Sequence, residues 1–268
     1  MSVSTIQTSN TVQVLSTARV LSEQFLDAVR AEAAAPSRVG VNAQSVGDCL
    51  DSLAALNPEG LRNELNTDAK KKAFWINLYN AYFQYYAARN PILTSGMLDS
   101  IRVYSRRFIK VAGQSLSLND LEHGILRRSR VWWSLGYLKK IRASDFERAT
   151  RVDKLDPRIH FALNCGAVSC PPIRHYEPEQ IEEQLDAASV AYLDSVIRWD
   201  EVEKTLYLPQ LLQMFRGDFD GRKGEIQFLN RYVHQLPAGT GKFIDPNNRP
   251  KVRYVPFDRT LKPEFYVD

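Results

Sequence analysis

The residues best suited to chemistry stand closest together in Asp156-Pro157-Arg158-Ile159-His160-Phe161-Ala162-Leu163-Asn164-Cys165-Gly166-Ala167-Val168-Ser169-Cys170-Pro171-Pro172. A cysteine thiolate is a strong nucleophile. Cys165 is followed by Gly166, which lets the backbone turn freely and leaves the thiol uncluttered. Imidazole titrates near neutral pH, so His160 in this stretch, and His123 in Leu121-Glu122-His123-Gly124, are candidate general bases. Asn77, Asn80 and Gln84 follow one another at three- and four-residue steps, one side of a helix. Buried amides left without hydrogen bonds cost about 1–3 kcal/mol each. Asn80 therefore either ties loop backbone to its helix, or orients an imidazole or polarises a substrate carbonyl. Asn164, next to Cys165, is the second candidate for that third role. Thiol catalysis needs the thiolate, a base within ~3.2 Å and an orienting group. The chain supplies Cys165, either His123 or His160, and either Asn80 or Asn164.

A metal is the competing use of the same side chains. His160, Cys165, Cys170 and His175 recur at steps of five, and zinc takes Cys and His. Structural zinc sites bring two ligands close together, as in Cys-x-x-Cys, and this spacing does not. Neither metal nor cofactor is expected. Cys170, before two prolines, reads as structural, and Cys49 as a small core hydrophobe.

Positioning these residues requires a set of helices. Leu15, Ala18, Leu21, Phe25 and Val29 recur at helical spacing in Thr11 to Ala35, which Pro36 ends. Asp48 to Leu56 is a shorter helix, closed by Asn57-Pro58. Asp68 to Asn90 is a long helix carrying Phe74, Trp75, Tyr79, Tyr82, Phe83, Tyr85 and Tyr86. It is apolar on several faces, hence central and buried, and it stops at Pro91. Its aromatics are expected to pack against a helix from Pro178 to Ile197. Phe108 to Leu118, turning at Ala112-Gly113-Gln114, is a hairpin. Asn119 then reads as a helix cap with Glu122 completing a capping box. Ile159 to Asn164 alternates like a short strand, although Asp156-Pro157 also suits the opening of a helix. Short strands at Thr205 to Leu208 and Val252 to Val255, and a helix from Gly224 to Gln235, complete the reading. The class is α+β: one helix-rich domain with a small antiparallel sheet. A helical segment at 1–60 packs on a core domain at 61–262.

Composition narrows the function classes. The chain is 44% hydrophobic and 25% charged, which fits a folded domain rather than a disordered one. No run of ~18 apolar residues would span a membrane, and the polar start does not read as a secretory signal. Three cysteines are too few for a disulfide scaffold, so cytoplasmic residence is the simpler inference, with one Cys165–Cys170 bridge suited to an oxidising compartment. Residues 101–160 hold fourteen Lys and Arg against six Asp and Glu. Such a basic face suits an anionic partner, but no nucleic-acid motif accompanies it.

Three of these stretches together resemble the family called domain of unknown function 547. Ala73 to Ala81 is similar to its aromatic-Asn helix, and Ser117 to Arg127 to its Leu-Asn-Asp-x-Glu-His-Gly motif. Asp156 to Pro171 resembles its signature, with His160, Asn164, Cys165, Gly166, Ser169 and Cys170 in place. Weaker likenesses continue at Leu208-Pro209, Phe215 and Asp218-Phe219, and Tyr254 to Leu261. The tail departs from the family's aromatic-Asp-Trp-Ser-Leu-Asn, reading Phe257-Asp258-Arg259-Thr260-Leu261-Lys262, so its docking is not implied. The resemblance supplies residues rather than a reaction. Thiol enzymes of papain or transglutaminase type share the residue types only.

Two functions from different classes are compatible with these residues. One is a cysteine-dependent hydrolase or acyl transferase acting on a small-molecule or peptide substrate, with Cys165 as nucleophile. The other is a non-catalytic binding module that engages an acidic or anionic partner through its basic face. An imidazole and the Cys165 thiol on one open cleft would favour the first.

Overall fold

The computed structural model describes residues 7–34, 45–90, 102–234 and 251–260, with the side chains of the first helix described from Ala18 to Glu32. The expected stops at Pro36 and Pro91, and the Leu15 side chain, lie outside them. The first helices are α1 (Gln7–Ala34), α2 (Val46–Ala55), α3 (Pro58–Glu64) and α4 (Asp68–Arg89). Each of α2, α3 and α4 begins where a short polar side chain caps it: Ser45, Asn57 and Thr67 accept from backbone amides two or three residues on.

Helix α4 is the spine. Every residue from Lys71 to Gln84 is buried. Its aromatics pack chiefly against α1, where Phe25 meets Tyr82 edge-on at 4.8 Å, and the Ile181–Val196 helix adds Ile181 and Leu185 to the same core. Cys49 and Leu53 of α2 join it. Two buried lysines fasten the start of α4 to the segment that leads into the Cys165 stretch. Lys71 pairs with Asp153 at 3.0 Å, and Lys72 with Asp156 at 2.9 Å and Glu182 at 2.6 Å. A second core gathers Phe161, Leu193, Leu206, Phe219 and Leu229, so Phe161 carries the Cys165 stretch across to the C-terminal half.

The expected hairpin forms as β1 (Ile109–Val111) and β2 (Gln114–Leu116). A second sheet holds β3 (Arg198–Asp200), β4 (Thr205–Pro209) and β5 (Lys251–Val255). It is mixed rather than antiparallel, because β5 returns parallel to β4 after an intervening helical crossover. The architecture is α+β.

Two local expectations are corrected. The helix after the hairpin is not capped by Asn119 and Glu122. Ser117 and Asp120 form the reciprocal pair instead: the Ser117 Oγ accepts from the Asp120 amide at 3.1 Å, and the Asp120 carboxylate accepts from the Ser117 amide at 3.0 Å. Asn119 turns to Ser105 at 3.2 Å. From Asp120 to Leu126 the backbone winds wide, with bonds from Arg127 N to Glu122 O and from Ser129 N to Gly124 O, each 2.7 Å and five residues apart. Wide turns of this kind are rare and frequent at functional sites.

The second correction concerns Ile159 to Asn164, which is not a strand. Pro157–Phe161 is a short 3-10 helix capped by the Asp156 carboxylate, which accepts from the Arg158 amide at 3.1 Å. Ile159, His160 and Phe161 are buried in succession, with Ile159 in the first core and Phe161 in the second.

Candidate functional site

Cys165 sits at the turn that follows this 3-10 helix. Gly166 takes φ +71°, and a Cβ there would fall 2.5 Å from the Phe83 ring. Glycine is therefore required for the chain to turn this close to α4. Asn80 and Asn164 build the turn. The Asn80 amide donates to Ala162 O at 3.0 Å and accepts from the Asn164 amide at 2.8 Å. Asn164 donates to Pro171 O and accepts from the Gly166 amide, both at 2.7 Å. Both side chains thus engage backbone rather than an imidazole. They shape the loop that presents Cys165. Asn77 ties Tyr176 to α4 in the same way.

Cys165 lines a cavity of about 710 Å³. Glu122, His123 and His160 line it as well, together with Tyr79, Tyr104 and Cys170. Residues 37 positions apart in the chain, His123 and His160, are thereby brought onto one cleft with Cys165. The neighbours that bear on the thiol's charge are the Cys170 thiol, the Ala167 amide, the Tyr104 hydroxyl and the Glu122 carboxyl. The Cys170 thiol is the largest influence, and together with the Ala167 amide and Tyr104 it holds Cys165 below its ordinary range against the opposing effects of burial and Glu122. Cys170 goes the other way, pushed up by burial and by its neighbour, while its sulfur accepts from the Cys165 amide at 3.1 Å. All three cysteines are free thiols. Burial pushes Cys49 up, in keeping with its place in the core.

The protonation of each histidine follows from its partner. An arginine can only donate. Arg127 lies 2.7 Å from His123 Nδ1, so that nitrogen accepts and the ring is the neutral tautomer with its proton on Nε2. Desolvation and the adjacent Arg127 cation both hold His123 well below its ordinary value. His160 Nε2 lies 2.8 Å from the Asp218 carboxylate, which Arg127 also contacts at 2.5 Å. With that carboxylate ionised, Nε2 donates, and in the neutral ring Nδ1 carries the lone pair. Burial lowers His160, and Asp218 partly restores it. Phe215 stacks on the His160 ring at 3.9 Å, and the Arg127 guanidinium lies 4.6 Å from the same phenyl ring.

Glu122 and Asp218 escape a reading from residue type. Glu122 fits a capping box so well in sequence that its carboxyl is assigned to the backbone. In the fold it accepts from the Tyr79 hydroxyl at 3.2 Å beside the cavity, and burial raises it above the usual carboxylate range. Asp218 stands 58 residues from His160 with no local cue beyond its weak family likeness. The tail docks despite its departures: Val168 N donates to Thr260 O at 2.8 Å, and Phe257 and Arg259 reach the cavity. His175 points elsewhere, to Asp27 at 2.9 Å. Among the described residues, no group of three or more His, Cys, Asp or Glu side chains is disposed to hold a metal ion.

Fold and cleft together define an α+β domain with a free cysteine and two neutral imidazoles on one cavity. Residues 62–193 match the family described as protein of unknown function, DUF547, and the chain carries a domain of that family. The match covers Cys165 and both histidines and ends before Asp218 and the tail. No curated protein and no solved structure matches the chain. Among the described residues, no helix is long and apolar enough to cross a membrane.

Proposed function

We propose that this protein is a cysteine-dependent hydrolase or acyl transferase. The observation that carries the reading is the sharing of one cavity by a thiol held toward its thiolate and by His160, whose far nitrogen is engaged by Asp218. This is the order of roles in thiol catalysis: nucleophile, base and orienting group. The Cys165 sulfur attacks a carbonyl carbon of a small-molecule or peptide acyl group. Its proton passes to His160 Nδ1 and from there to the leaving group. The acyl-cysteine is then released to water or to an acceptor. Asp218 takes the orienting role for which Asn80 and Asn164 are candidates by sequence. His123, fixed with its proton on Nε2, is a donor for the oxyanion rather than a base.

p-Nitrophenyl acetate tests the reading without knowledge of the natural substrate. The expected result is an acetyl group on Cys165 in peptide mapping, and turnover that Cys165→Ser abolishes. His160→Gln should lower turnover by about 10²–10⁴-fold. An acetyl group mapped elsewhere, or hydrolysis indifferent to both substitutions, would remove the proposal.

A further inference from the structure

Six of the nine large hydrophobic side chains that stand exposed among the described residues fall within ten positions: Trp132, Trp133, Leu135, Tyr137, Leu138 and Ile141. They range from 47% exposed at Leu135 to 101% at Ile141. Exposed apolar clusters of this kind mark interaction surfaces. The loop that bears them is ordered by its own backbone. Val131 N donates to Leu138 O at 2.9 Å, Lys140 N to Ser129 O at 2.7 Å, and the Ser134 side chain bonds Val131 O at 2.8 Å and Leu138 N at 3.1 Å. Gly217 N pins the tip through Leu135 O at 2.7 Å. The aromatic side chains are therefore held out by a built loop.

A basic concavity of about 490 Å³ adjoins this loop, lined by Arg128, Lys139, Lys140, Arg142, Arg148 and Arg151. Lys140 is paired with Glu147 and Arg148 with Asp145. Among the described residues, Arg128, Lys139, Arg142 and Arg151 form no ion pair. Fully exposed Ile141 lies between these cations in sequence and on the same concavity. Trp and Tyr favour the membrane–water boundary. Apolar tips beside Lys and Arg are the pattern of proteins that lie in that boundary and draw on anionic headgroups. An acidic protein would satisfy the cations, but it would leave the protruding tips in need of a matching pocket, which a lipid surface supplies without one.

We infer that the loop at residues 131–142 and its basic concavity form a docking surface for anionic phospholipid membranes. Trp132, Trp133 and Leu135 also line the Cys165 cavity, so docking would set the mouth of that cavity against the lipid. The inference does not depend on the acyl-transfer reading, and Cys165→Ser should bind vesicles as the wild type does.

Flotation tests it, with vesicles of phosphatidylcholine alone and of equal parts phosphatidylcholine and phosphatidylglycerol. The protein should float with the mixed vesicles at low salt and be released as salt is raised. Lys139→Glu with Arg142→Glu should weaken binding by at least about fivefold for each cation replaced. Trp emission should shift to the blue on the mixed vesicles, since Trp132 and Trp133 are exposed while Trp75 is buried beforehand. Trp132→Ser with Trp133→Ser should remove both the shift and most of the binding. The substituted side chains are exposed, and an unchanged thermal transition separates lost docking from lost folding. Binding to neither vesicle, or equal binding to both, overturns the inference. So does retention on immobilised polyglutamate without vesicle binding, which would assign the face to an acidic polypeptide.

Discussion

At the residue scale, the state of Cys165 is set by neighbouring side chains that can be removed one at a time. Cys170 is the largest of them, so Cys170→Ala should raise the pH at which Cys165 becomes reactive to iodoacetamide. In the wild type Cys165 should react below the ~8.5 of an ordinary thiol and ahead of Cys49 and Cys170. Rate against pH, with peptide mapping, checks both statements. A profile unmoved by Cys170→Ala would mean that the thiol pair does not tune the nucleophile. Glu122 gives a second test, with the opposite consequence for stability. Its folded value is raised by burial, so its contribution to stability is complete below the unfolded ~4.3 and is lost as pH rises through the folded value. At neutral pH it is therefore a cost to the fold. Glu122→Gln keeps an acceptor for the Tyr79 hydroxyl and removes the buried charge. It should raise the thermal midpoint at pH 7.5 while leaving it little changed near pH 4.

At the scale of elements, the site depends on two close approaches. Gly166 brings the Cys165 turn against Phe83, and Gly136 brings the loop tip against Asp218. A Cβ on Gly136, at φ +89°, would lie 2.4 Å from Asp218 Oδ1. Gly136→Ala should therefore destabilise the protein by roughly 1–3 kcal/mol, and should slow p-nitrophenyl acetate turnover more than thermal loss alone explains, because it displaces the residue that orients His160. Denaturant unfolding and kinetics on the same preparation separate the two. What sequence makes legible at this scale follows from how local each signal is. α4 is visible because its aromatics and its ends lie in one continuous run. The hairpin is visible because Gly113 marks its turn. The 3-10 helix at Pro157 is harder to see, because Ile159, Phe161 and Leu163 alternate as in a strand while burial comes from two separate cores. The Ser117 and Asp120 box is hidden in sequence by a second, equally good pattern two residues later. Asp218 is illegible in sequence as a partner of His160 because nothing near it in the chain requires that histidine.

For the whole molecule, one spine carries both stability and site. Trp75 is fully buried against Phe74 and Phe146, with ring centroids 4.8 Å and 6.2 Å away, so Trp75→Ala should cost about 3–5 kcal/mol in chemical denaturation. The spine also buries a charged network beneath the cavity, where Arg127 is completely inaccessible and contacts both His123 and Asp218. This network gives the protein a defined response to acid. His123 and His160 are held neutral by desolvation, with Arg127 opposing their protonation, Lys140 adding to that at His123, and Asp218 favouring it. Unfolded histidines take up protons near pH ~6.5. Below that pH the unfolded chain binds more protons than the native one, so stability falls as pH falls. Each histidine contributes up to about 1.4 kcal/mol per pH unit between ~6.5 and its own lower folded value. Glu122, raised by burial, gains stability toward lower pH wherever its folded form takes up protons that the unfolded form does not, and so opposes the histidine effect; a Glu122→Gln background removes that opposition. In that background the unfolding free energy should drop from pH 7.5 to 5.5, and His123→Gln should flatten the drop. An equal slope in the two proteins would show that His123 is not held neutral, and would return it to the set of candidate bases.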